Sequence, residues 1–154
     1  MVLSSIISGA GATNSQDGWH ACGPQCCFGA LTSGDIEMLE HSYPIIIHQY
    51  ALMEDSGGAG RFRGGSGTCW EVEPLDAPMT LITFGEGRRI PAMGAGGAKS
   101  AMVEKKVGRL ELTRNGGTEI ITDNVIEIIN PGERAANKNP GGGGFGNPFE
   151  REVD

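Results

Sequence analysis

The sequence predicts a mainly β domain: antiparallel sheets in a sandwich or barrel-like arrangement, one short helix, and extensive glycine-rich irregular segments. Three observations carry this. About six short runs are β-branched or alternate apolar with polar, and turn residues separate them. Only one stretch has helical spacing. Glycine reaches 26 of 154 residues, against an average usage of roughly 7%.

Residues 1–34 are loop-rich, with much Gly, Ser, Thr and Asn and no apolar period. The helix is expected from Asp35 to His41. Ile36, Leu39 and Tyr43 form one stripe, Ser33 and Asp35 offer capping oxygens, and Pro44 ends the run. Strands follow at Ile45–Leu52, Thr68–Glu73 and Met79–Phe84. Arg109–Thr113 and Thr118–Thr122 flank Arg114-Asn115-Gly116-Gly117, a hairpin signal because Asn-Gly tolerates positive φ. Val125–Ile129 is the last strand, closed by Asn130-Pro131-Gly132. Residues 137–154 form a glycine-rich docking tail. Its four consecutive glycines, Gly141 to Gly144, are costly to order unless they press against another backbone, and Phe145 and Phe149 favour that contact. The whole chain reads as a single small domain.

Composition removes several function classes. Net charge is −7, which disfavours nucleic acid or an anionic membrane as partner. No apolar run approaches the ~20 residues of a membrane span. The start, MVLSSIISGAGA, lacks a basic n-region, so a cytoplasmic location is expected, with reduced cysteines.

Ser56–Gly67, SGGAGRFRGGSG, holds six glycines in twelve residues. It invites a phosphate-loop reading. It lacks the lysine and the following helix that such a loop needs; Gly94-Ala95-Gly96-Gly97-Ala98-Lys99-Ser100 has the lysine but places Met93 and Ala98 where the two glycines must stand, and no strong helix follows. An anion nest with Arg61 and Arg63 stands against a pair of structural glycine turns with Phe62 buried, and the turns are preferred. Arg88 and Arg89, after Gly85-Glu86-Gly87, are a second candidate pair for an anion or a partner's carboxylate.

His20, Cys22, Cys26 and Cys27 bring one imidazole and three thiols within eight residues, a set that zinc could use, with Cys69 joining from a strand. Buried free cysteines are the alternative. Cys22 with His20 and Asp17 also permits a thiol–histidine reading, on weak spacing alone. His41 and His48 read as surface or helix-end residues.

In order, the chain carries Asp17-Gly18-Trp19-His20, Glu37 to Pro44, Asp55 to Gly67, Gly87-Arg88-Arg89 with Pro91, and Asn139 to Arg151. In these blocks it resembles the C-terminal region of the hydantoinase B/oxoprolinase/acetone-carboxylase-type large subunits. Its length makes it similar to the small gamma subunit of acetophenone carboxylase. The resemblance implies a structural or interface subunit of a multi-subunit, biotin-independent, ATP-dependent carboxylase acting on an aromatic ketone. The alternatives are a subunit of a hydantoinase- or oxoprolinase-type amidohydrolase, or arginines contributed directly to a carboxylation site. It further implies a hetero-oligomer with larger subunits, which would hold ATP and Mg, while any zinc would sit in this chain. The cysteine cluster is not part of the family pattern, and no catalytic residue is assigned here.

Overall fold

The computed structural model describes residues 7–22, 34–83, 85, 87–101 and 108–152. Among them one α-helix and seven strands appear. The helix, α1 (Ile36–Ser42), begins where Asp35 accepts a hydrogen bond from the Met38 N–H and ends before Pro44. The strands are β1 (Ile45–Leu52), β2 (Thr68–Pro74), β3 (Met79–Ile82), β4 (Arg109–Arg114), β5 (Gly117–Ile121), β6 (Ile126–Ile129) and β7 (Arg134–Lys138). Pairing is antiparallel throughout. A five-stranded sheet runs β1-β2-β7-β4-β5, and β3 pairs with β6 in a second, two-stranded sheet. The arrangement is the sandwich of the sequence expectation. The barrel is not formed, because β1 and β5 remain edges.

The β4–β5 hairpin turns at Asn115 (φ 52°) and Gly116 (φ 76°). Positive φ at both central residues is what a two-residue turn needs to match the strand twist. Strand β7 is the element that the sequence reading lacks. Arg134-Ala135-Ala136-Asn137-Lys138 has no β-branched or aromatic residue, yet it lies at the sheet's centre. Trp70, Asn137 and Leu110 form one cross-strand row, and Val72, Ala135 and Leu112 the next. Large neighbours on both sides leave room for alanine in the middle.

One face of the five-stranded sheet packs on β3–β6. Ile45, Val72, Leu110, Leu112 and Ala135 meet Ile129 there, all at most 3% exposed. Each such aliphatic side chain contributes about 1.5–3 kcal/mol by leaving water. At the open side of this layer Arg114 reaches Glu127 across the two sheets and also pairs with Glu119.

The glycine-rich segments are held chiefly by backbone–backbone hydrogen bonds, with a few side chains such as those of Asp17, His20 and Ser56 joining in. Segments 7–12, 17–22, 56–67, 92–101 and 139–146 lie backbone to backbone, and several series of their hydrogen bonds recur every third residue. Asn139, Gly142 and Phe145 donate to the carbonyls of Thr68, Gly65 and Phe62 at 2.7, 2.9 and 2.9 Å. Gly9 and Ala12 donate to Pro140 and Gly143 at 3.1 and 2.9 Å. Gly18 and Ala21 donate to Arg63 and Ser66 at 2.7 and 3.0 Å. A three-residue turn is that of polyproline II backbone, whose successive residues point about 120° apart and which has no internal hydrogen bonds. Each thread can therefore bond several neighbours at once.

Gly141–Gly144 form the central thread. A Cβ on Gly141 would stand 2.2 Å from the Ser56 carbonyl oxygen, and one on Gly144 2.7 Å from that of Ala59. On Gly142 it would stand 1.9 Å from the Ala10 oxygen, and on Gly143 2.2 Å from that of Met93. One thread thus faces three neighbours in turn, and only hydrogen fits between them. These four glycines have no positive φ, so they are required by close approach. Of the tail expected to dock on a larger subunit, residues 139–146 pack inside their own chain, Phe149 stays exposed, and Asn137 and Lys138 at its start belong to β7.

Candidate functional site

Two of the sequence blocks converge on the aspartate of a third at one end of the glycine bundle. Asp17 stands between the Arg61-Phe62-Arg63 bend and the short 3-10 turn at Pro148–Glu150. Its Oδ1 accepts the Arg63 backbone N–H at 2.8 Å and Arg151 Nη1 at 2.9 Å, and its Oδ2 accepts Arg151 Nη2 at 2.8 Å. Arg151 Nη1 also reaches the Arg61 carbonyl at 3.2 Å. The Arg151 hydrogen bonds, aided by the Arg63 N–H, hold the Asp17 carboxyl below its ordinary range despite partial burial. This is a bidentate clamp across segments distant in sequence. Asp17 entered the sequence reading only as a third partner for Cys22 and His20. Its true partners lie 46 and 134 residues away, beyond the reach of any spacing argument.

The Ser56–Gly67 stretch is not open to a phosphate along its second half. Every backbone N–H from residue 61 to 67 is committed: Arg61 to Gly146, Phe62 to Phe145, Gly64 to Gly58 and Gly65 to Ala10. Arg63 goes to Asp17, Ser66 to His20 Nδ1, and Gly67 to Ser56 Oγ. An anion nest needs such donors free. This half of the stretch is structural backbone, and its committed donors do not form a phosphate nest.

Arg61 and Arg63 are exposed, and Phe62 is half-buried. The Arg61 guanidinium lies 5.6 Å from the Phe62 ring centre. Arg88 and Arg89 separate from each other. Arg89 is exposed and paired with Asp123. Arg88 is 8% exposed, donates Nη2 to Asn137 Oδ1 at 3.0 Å, and leaves Nη1 without a partner. Burial alone pulls its guanidinium below the ordinary range. The four arginines therefore do not form one anion site: two flank the Asp17 clamp, one is buried against β7, and one is neutralised.

Of the zinc candidates, Cys26 and Cys27 lie outside the described residues. His20 Nδ1 is occupied by the Ser66 N–H at 2.9 Å, which leaves Nε2 for any ligand. Cys69 is buried in β2 and donates Sγ to Gln49 Oε1 at 3.4 Å. Burial pushes its thiol up. Among the described residues no three His, Cys, Asp or Glu side chains gather as a metal site. His41 ends α1, and His48 lies 2.6 Å from Glu73 on the sheet surface.

The fold, an antiparallel sheet layer fused to a glycine-threaded bundle, is shared with known enzymes. The chain belongs to the hydantoinase B/oxoprolinase family, whose pattern matches residues 1–148. It is 59% identical over 154 residues to caprolactamase subunit beta of Pseudomonas jessenii, covering 99% of this chain and 26% of that one. It is 28% identical to 5-oxoprolinase 1 of Arabidopsis thaliana over 90% of this chain and 10% of that one. The crystal structure of the ATP-dependent caprolactamase from Pseudomonas jessenii superposes with a TM-score of 0.86 at 54% identity, covering 99% of this chain and 27% of that chain. The nucleotide-free structure of acetone carboxylase shares the fold, with a TM-score of 0.71 at 21% identity over 96% of this chain and 23% of that one. The chain thus spans about a quarter of the caprolactamase beta subunit. No helix among the described residues is long and apolar enough to cross a membrane.

Proposed function

We propose that this chain is the glycine-bundled module of an ATP-dependent, multi-subunit cytoplasmic enzyme that opens cyclic amides, and that it scaffolds the assembly while partner subunits bind ATP and Mg. The observation that supports this is how the motif residues are used. Asp17, His20, Ser56 and the glycines spend their hydrogen-bonding capacity closing the bundle. The amide substrate class is taken from the 59% identity to a caprolactamase subunit.

The second reading is carboxylation of an aromatic ketone such as acetophenone, the reaction implied by the sequence resemblance. It shares the ATP dependence and the fold and differs in what attacks what. In either reading Arg61 and Arg63, exposed beside the clamp, face a partner's acidic surface or a substrate anion. Any zinc bound by His20, Cys22, Cys26 and Cys27 would be structural.

The test is to purify the tagged chain with its assembly and measure ATP hydrolysis dependent on caprolactam, 5-oxoproline, a hydantoin, or acetophenone with bicarbonate. Stimulation by a cyclic amide is the expected result. Stimulation only by ketone with bicarbonate transfers the assignment to the second reading. The double variant Arg61→Ala/Arg63→Ala then divides the roles: lost assembly assigns partner docking, and lost turnover in an intact assembly assigns anion binding.

A further inference from the structure

The outer surfaces of the sheet layer differ in how far they satisfy themselves. The outward face of the five-stranded sheet is charged but balanced. Lys138 reaches Glu111 at 2.7 Å and Arg109 reaches it at 2.6 Å. Arg134 and His48 both reach Glu73, at 3.2 and 2.6 Å. The edge of β1 is partly closed by α1, whose Glu40 accepts the Ile47 N–H at 2.6 Å.

The outward face of β3–β6 is different. Ile82 pairs with Ile126, and Thr80 with Ile128, so four residues stand side by side on that face. The three isoleucines are 60%, 70% and 60% exposed in the order Ile82, Ile126, Ile128. No charge interrupts them. The intervening Met79, Leu81 and Ile129 fill the core on the opposite face. An antiparallel sheet with one solvated face alternates apolar inward with polar outward, whereas a near-continuous apolar run belongs to a sheet covered on both faces. Apart from Thr80 on the outward face and Glu127, which pairs with Arg114, on the inward one, Met79–Ile82 and Ile126–Ile129 are apolar on both faces and come nearer the second pattern. A two-stranded sheet is also marginal unless something packs on it.

We infer that the Ile82–Ile126–Ile128 face is the seat of the rest of a hydantoinase B-type polypeptide: the part of the family chain left over when this chain matches 26% of its caprolactamase relative. The inference rests on the proposal that the chain works within a larger enzyme. The length of that relative supplies the occupant, and the uncharged face defines how it is held, by apolar burial. The charged sheet face is left to solvent.

Carbene footprinting of the assembled complex against the free chain tests this. Labelling of Ile82, Ile126 and Ile128 is expected to fall at least roughly five-fold on assembly, while Ile120, exposed on the charged face of the other sheet, keeps its labelling. Unchanged labelling of the three, or an equal fall at Ile120, overturns the inference. So does a free chain that is dimeric through this face, since the occupant is then a second copy. Ile128→Glu is expected to keep the free chain's melting curve and to abolish assembly; normal assembly overturns the inference. Should that variant fail to fold, the wild-type footprint still decides. Purification of a free chain with no hydantoinase B-type partner refutes the underlying functional proposal instead.

Discussion

The sheet layer and the glycine bundle solve the same packing problem by opposite means. In the sheet layer Leu110, Val72 and Ile129 fill space with side chains, and the hydrogen bonds run along strands. In the bundle the side chains are removed and the backbones themselves touch, at distances that leave no place for a Cβ. A side-chain core tolerates a smaller residue at the cost of a cavity. A backbone core has no slack in the direction of a larger residue, because the atoms that must give way are carbonyls engaged with three neighbours.

Substitutions in the two halves can break or sharpen this contrast. The largest effect is expected for Gly142→Ala, whose new methyl would meet the Ala10 carbonyl oxygen at 1.9 Å and its carbon at 2.2 Å. A loss on the order of 4–5 kcal/mol, enough to unfold a small domain, is expected. Urea unfolding followed by circular dichroism measures it; a midpoint near wild type would break the close-packing account. Next comes Leu110→Ala in the sheet core, fully buried, with an expected loss of about 3 kcal/mol by the same measurement. A larger effect there than at Gly142 reverses the comparison.

Asp17→Asn probes the clamp. Asp17 has a depressed folded pKa, so its stabilisation is present above the unfolded value and is lost as pH falls through the folded one. The exposed setting limits it to about 0.5–1 kcal/mol at pH ~7. Urea midpoints of wild type and variant should differ at neutral pH and converge as the pH falls below the ordinary carboxylate range. A gap that persists in acid rules out the carboxylate's charge as its source. The smallest effect, of opposite sign, is expected for Gly117→Ala. Gly117 opens β5, is exposed, has no positive φ, and a Cβ there would meet only the Arg114 carbonyl oxygen at 3.9 Å. A gain of about 0.4–1 kcal/mol in the melting curve is expected from the stiffer unfolded chain.

The same contrast explains what was readable in advance. Alternation and β-branching placed six strands within a few residues of their positions, and Asn115-Gly116 gave the hairpin turn. Strand β7 escaped because alanines between large neighbours carry no periodic signal. The glycine tail was legible as a close-packed segment, but its host was not. The three-residue repeat belongs to the hydrogen bonds, while the glycines of one thread answer to different neighbours. The Asp17 clamp escaped for a related reason: a single aspartate and a single arginine at opposite ends of the chain acquire meaning only once the threads are laid side by side.

The bundle also carries a thermal consequence. Exposed apolar surface raises the heat capacity of unfolding by about 0.45 cal/mol/K per Å², whereas exposed peptide surface lowers it by about 0.26. Melting the sheet layer exposes chiefly the first, and melting the glycine threads chiefly the second. The two halves therefore oppose each other calorimetrically. The chain should unfold with a heat-capacity increment below the roughly 2 kcal/mol/K usual for its length, and its stability should vary less between cold and warm conditions than a side-chain core of the same size allows.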